Sequence, residues 1–143
     1  MKSQIFAGTL LLIMVFTVSC KHIAYRSHAK HLSISFGSGG GFTGAVNEYI
    51  LKGSGELYEV KAFSSDTVHL KTIPKKDLKK IFKYSESDQI QKIRQDESGN
   101  MYRFIKLYKD GTLKNNFQWP QGKTDLPAEL NELNQLLNQL IQP

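Results

Sequence analysis

The chain has 143 residues, of which residues 32–143 are enough for one ordinary cored domain. Nineteen Lys+Arg against 13 Asp+Glu give a formal net charge of +6, but Lys2, Lys21, Arg26 and Lys30 all precede residue 32. The rest is close to neutral, which argues against a nucleic-acid partner, and a single cysteine excludes an internal disulfide.

Lys2 is followed by an apolar run from Ile5 to Val18 that ends in Ser19-Cys20, the charged, hydrophobic and small-residue layout of an export signal. The run is too short to span a bilayer comfortably, for which about 20 apolar residues are needed. Thr17-Val18-Ser19-Cys20 resembles the lipobox of bacterial lipoproteins, with Thr17 where leucine is usual. The resemblance implies that a diacylglycerol is attached to the Cys20 sulfur and that residues 1–19 are then removed. It also implies a protein of the bacterial cell envelope held on a membrane, the outer one being expected. Acyl chains such as palmitate contribute roughly 0.8 kcal/mol per buried methylene, so two or three hold firmly where one does not. Residues 20–31 then form a basic polar tether, suited to anionic headgroups.

Leu32, Ile34 and Phe36 alternate with Ser33 and Ser35, the period of a strand with one buried face. After the glycine-rich stretch 37–44, the segments 45–51 and 56–63 flank Lys52-Gly53-Ser54-Gly55 and predict a hairpin. Residues 67–73 predict another strand. Pro74 suits the first turn of a short helix with Leu78, Ile81 and Phe82 on one face and Lys75, Lys76, Lys79, Lys80 and Lys83 around the remainder. The simplest reading of those lysines is a solvated face; a functional basic patch is the sharper one.

Residues 85–100 read as a polar connection. The segments 101–108 and 112–119 flank Lys109-Asp110-Gly111, a strong hairpin signal. Tyr102, Phe104 and Tyr108 share one face of the first segment, and Leu113, Phe117 and Trp119 one face of the second; both sets are expected in the core, with a surface aromatic patch as the alternative. Thr124 or Asp125 is placed to cap a terminal helix whose leucines from Leu130 to Leu140 form a stripe. That stripe is shorter than about three heptads, so core packing is expected over a coiled coil. The fold class is therefore α+β: an antiparallel sheet of hairpins with a short middle helix and a C-terminal amphipathic helix packed on it, in one domain over 32–143.

Chemistry finds little support. Gly39 to Gly44 satisfies G-x-G-x-x-G, but a strand rather than a helix comes next and no Gly-Lys-Ser/Thr is present, so no nucleotide is expected. His22, His28 and His31 fall in the tether and His69 stands alone in a strand, so no metal or other cofactor is expected. No serine sits in a nucleophile elbow, and Glu48, Glu56 and Glu59 are not shown by sequence to converge, so no enzyme is expected.

The strand leading into Ser38-Gly39-Gly40-Gly41-Phe42-Thr43-Gly44, the later Asp110-Gly111 hairpin and a terminal helix opening with Leu126-Pro127 resemble emfourin, a small inhibitor of thermolysin-like metalloproteases. The resemblance spans about residues 32–141 and rests most on the Gly-Gly-Phe-x-Gly turn of Gly40, Gly41, Phe42 and Gly44. It implies binding to a protein partner, a metalloprotease among the possibilities, with Gly40, Gly41, Phe42, Thr43 and Gly44 as contact residues. The turn exposes backbone groups at little steric cost, with Phe42 as its anchor. The plainer expectation is that the glycines make a bulged connection and Phe42 plugs the core. An envelope lipoprotein with a structural or assembly role and no inhibition is the alternative function.

Overall fold

The structure is a computed structural model that describes residues 29–64 and 66–142; the expected export signal, Cys20, His22, His28 and the expected tether as far as residue 28 lie outside the described residues. Four strands come first, β1 (Leu32–Gly40), β2 (Val46–Lys52), β3 (Glu56–Val60) and β4 (Thr67–Thr72). Helices α1 (Lys75–Ser85) and α2 (Asp88–Lys92) come next, then β5 (Met101–Lys109), β6 (Thr112–Pro120) and α3 (Ala128–Ile141). The strands form one antiparallel sheet in the order β4-β3-β2-β1-β5-β6. The α+β architecture is as the periodicities predict.

β1 owes its central place to its two unlike faces. Leu32, Ile34 and Phe36 point into the core with Leu51, Leu57, Ile105, Phe117 and Trp119, under the leucines of α1 and α3. Leu130, Leu133 and Leu137 are fully buried, so the stripe of α3 is spent on the chain's own core. The opposite face of β1 carries Ser33, Ser35, Gly37 and Gly39, small enough for neighbouring side chains to lie across it.

The aromatic strand sets are sorted differently from the expectation. Gly37 pairs with Phe104 and Gly39 with Tyr102, which puts these aromatics on the face away from the helices. Phe104 is nevertheless buried, with the Lys106 ammonium 5.0 Å from its ring centroid and Tyr102 beside it. A side chain on Gly39 would begin 2.8 Å from the Tyr102 hydroxyl, so the tyrosine occupies the space the glycine leaves. On β6, Phe117 and Trp119 are core residues, but Leu113 is exposed, because a register shift at Leu107/Tyr108 turns the start of the strand over.

The helix starts also differ from the expectation. Both long helices begin directly after a proline, Pro74 and Pro127, which occupies the cap position itself and makes no side-chain cap bond. Asp125 stands too early to cap α3 and turns instead to Lys123. Within the stretch expected to be a polar connection, the Ser87 side chain caps α2, and Ile90 enters the core. Residues 95–97 then run beside β6 through backbone bonds to Gln118.

The two ends of the sheet are unlike. At the tether end, Ala29 is buried, the Gly53 N–H donates to the Leu32 carbonyl at 2.8 Å, and His31 pairs with Asp110 at 2.8 Å. Nine residues of β1, about 30 Å, separate this from the far end, where the β1–β2 and β3–β4 turns lie.

α1 and α3 are tied by the Tyr84 hydroxyl, which donates to Glu132 at 2.8 Å. Burial, followed by the Glu132 carboxylate, raises the Tyr84 phenol from 10.0 to about 12. The unfolded chain therefore ionises this group first, and its contribution to stability is complete below pH 10 and lost as pH rises through about 12. A difference titration of phenolate absorbance between the wild type and Tyr84→Phe should show that late ionisation, and Glu132→Gln should bring it to lower pH.

Candidate protein-binding site

The glycine turn is anchored before it projects. Gly40 and Gly41 have φ of 98° and 76°, values that L side chains rarely adopt, and a side chain on Gly40 would begin 2.0 Å from the Asn100 carbonyl oxygen. The Gly41 N–H donates to that same carbonyl at 2.8 Å, which straps the turn to the start of β5. The Gly44 N–H closes it on the Gly41 carbonyl at 3.2 Å, and the Ala45 N–H reaches the Thr43 hydroxyl at 3.4 Å.

Phe42 projects from this turn fully exposed, at 109% of its reference area, and Thr43 and Gly44 are exposed with it. The core-plugging expectation for Phe42 is therefore overturned. With Gly40 and Gly41 committed to the backbone path along β5, the residue after them can only leave the sheet.

A second exposed aromatic stands at the same end. Phe63, placed by periodicity at the end of a strand, lies in the β3–β4 turn with φ of 65° and is 83% exposed. A bulky residue in the left-handed region carries a local conformational cost of order 1–3 kcal/mol. The turn around it is closed by the Lys61 N–H to the Asp66 carbonyl at 3.0 Å and the Asp66 N–H to the Ser64 hydroxyl at 3.1 Å. β3 therefore ends at Val60, three residues before Phe63, to which periodicity continues the strand. The two turns are separated by about two strand spacings, roughly 10 Å. Met101, also exposed, lies beside Gly41.

This end thus displays two aromatic rings and a thioether from three separate segments. On its flank Lys123 pairs with Glu97 at 3.1 Å and Asp125 at 3.3 Å. The Gln95 amide and then Lys123 lower the Glu97 carboxyl, and its own backbone amide and then Lys123 lower that of Asp125.

The other residues weighed for chemistry are dispersed. Glu48 accepts from Ser35 on the sheet face opposite the helices, Glu56 accepts from Ser54 at the tether end, and Glu59 lies beside Tyr49 on the helix-covered face. Glu48 pairs with Val60, four residues along β3 from Glu56, so those two stand on the order of 14 Å apart. His69 is exposed and meets the Tyr58 ring edge-on at 5.4 Å. Among the described residues no three His, Cys, Asp or Glu side chains are placed to hold a metal ion. A strand, β2, comes directly after the G-x-G-x-x-G pattern. Comparison of the sequence with protein-family models and with curated proteins finds no match.

Proposed function

We propose that this chain is a lipid-anchored protein of the bacterial cell envelope, on the outer membrane, that acts by binding another protein through the far end of its sheet. The observation that carries the binding reading is Phe42, a large apolar side chain exposed outside the core, presented on a turn that the Gly41 N–H straps to the Asn100 carbonyl just before β5 and the Gly44 N–H closes on Gly41. Exposed aromatics on pre-ordered turns make effective anchors, because little conformational freedom is lost when a partner buries them. Anchoring rests on the lipobox-like Thr17-Val18-Ser19-Cys20, with diacylglycerol in thioether linkage to Cys20 as the membrane attachment.

The partner class proposed is a thermolysin-like metalloprotease, which the protein restrains. The Gly40, Gly41, Phe42 and Gly44 motif, the Asp110-Gly111 turn and the Leu126-Pro127 helix start support it through their resemblance to emfourin. Titrating the purified protein against thermolysin-like proteases should slow peptide hydrolysis in proportion to the protein added. If folded protein slows none of them, inhibition is removed and the structural or assembly role takes its place.

A further inference from the structure

The tether end of the domain is strongly basic. Lys75, Lys76, Lys79, Lys80 and Lys83 are all exposed on α1, and Lys30, Lys52, Lys71 and Lys109 stand where the chain and three of the strands reach the same end. α1 lies along this end throughout its length. At its start the Ile73 N–H donates to the Gly55 carbonyl at 2.8 Å and Leu78 packs against the Gly55 turn. At its finish Phe82 and Ser85 share a cleft of about 310 Å³ with Leu32 and Lys109.

The lysines face outward from this position. At about 100° per residue, Tyr84 falls on one flank of the buried stripe of α1, where it meets Glu132 of α3, and the five lysines spread over the outward half of the helix, from Lys75 on the other flank round to Lys80 beside Tyr84. The carboxylates at this end are fewer: Asp110 is paired with His31, Glu56 accepts from Ser54, and Asp77 and Glu86 lie on or beside α1.

The chain also enters the domain here. Ala29 is buried against the Gly53 turn, so the residues that connect to Cys20 leave from the lysine-rich end. The nine residues 20–28 can extend no more than about 30 Å. An acyl anchor on Cys20 therefore keeps these lysines close to whatever surface the anchor enters.

We infer that this end of the domain docks on anionic phospholipid headgroups, which leaves the far end, with Phe42 and Phe63, pointing away from the bilayer. The inference rests on the lipid-anchored reading above, and it adds that the folded domain itself has a membrane face. Charge complementarity and the point of chain entry select a lipid surface as the occupant: the lysine cluster would be brought to such a surface by its own tether.

The test uses the chain from residue 20 onward with Cys20→Ser, which has no lipid and keeps the whole core between Ala29 and Ile141. Binding to vesicles containing phosphatidylglycerol is expected to exceed binding to pure phosphatidylcholine vesicles by about tenfold or more, and to fall as salt is added. Lys76→Glu with Lys80→Glu should remove most of that preference, whereas Lys61→Glu, at the far end, should leave it unchanged. Equal binding to both vesicles, or equal loss from Lys61→Glu and Lys76→Glu compared singly, would overturn the inference. Because this protein carries no acyl chain, that failure leaves anchoring at Cys20 untouched. Native protein without acyl chains, beside an intact vesicle preference, would remove the anchor alone.

Discussion

Replacing Phe42 by alanine is expected to weaken partner binding by about 30-fold or more, roughly 2 kcal/mol, while leaving the melting temperature unchanged. The ring is fully exposed in the free protein, so its removal deletes nothing from the core. Aromatic anchors at protein interfaces reach about 2 kcal/mol and beyond when truncated, because they bury a large rigid surface in a pocket of the partner. The measurement is the inhibition constant against whichever thermolysin-like protease responds to the wild type, with a thermal melt of both proteins. Unchanged inhibition would remove the turn as a contact site, and a lowered melting temperature would contradict its exposed geometry. Phe63→Ala offers a graded companion: it should weaken the same interaction, and it also replaces a bulky residue held at a φ of 65°.

Trp119→Ala is expected to be the most damaging single change to the fold, costing about 3–5 kcal/mol. Trp119 is 1% exposed, among the largest fully buried side chains of the core, so its truncation removes a large buried apolar surface and leaves a cavity into which neighbours relax only in part. Domains of this size are stable by only about 5–15 kcal/mol, so the melting temperature should fall by roughly 15 °C or more. Leu113→Ala, six residues earlier on the same strand, should change stability by no more than about 0.5 kcal/mol, because the register shift leaves Leu113 on the surface. Equal losses from the two substitutions would contradict the placement of the bulge.

That pair shows where sequence patterns inform and where they stop. Alternation in β1 identifies a strand with Leu32, Ile34 and Phe36 inward, and Asp110-Gly111 identifies a hairpin whose two turn residues both adopt positive φ, at 52° and 72°. Both signals are local, a period of two or a turn that needs particular residues. The pairing of β5 with β1 is not local, since three strands and two helices intervene, and it decides which face of β5 meets the core. Without that pairing Tyr102 and Phe104 look like core partners of the helices; in fact both lie on the opposite face, Tyr102 over Gly39 and Phe104 in register with Gly37.

The candidate site divides in the same way. The positive φ expected of a glycine turn is found at Gly40, Gly41 and Gly44. Whether Phe42 turns inward or outward depends on the strap between Gly41 and Asn100, a contact between residues 59 positions apart that no local pattern encodes. Phe63 escapes notice in the sequence because its ring continues the apolar character of β3, and the Lys61 to Asp66 closure that ends the strand is a property of the folded turn. The α1 lysines are legible as an exposed face, but their position beside the entry of the chain is set only by the topology.

The membrane attachment proposed for this chain depends on chemistry at one sulfur. Intact-mass and N-terminal peptide mass spectrometry of the native protein, extracted from membranes, is predicted to find a chain that begins at Cys20 and carries diacylglycerol on that side chain. A native chain that still begins at Met1, or one that bears an unmodified Cys20 thiol, would contradict it.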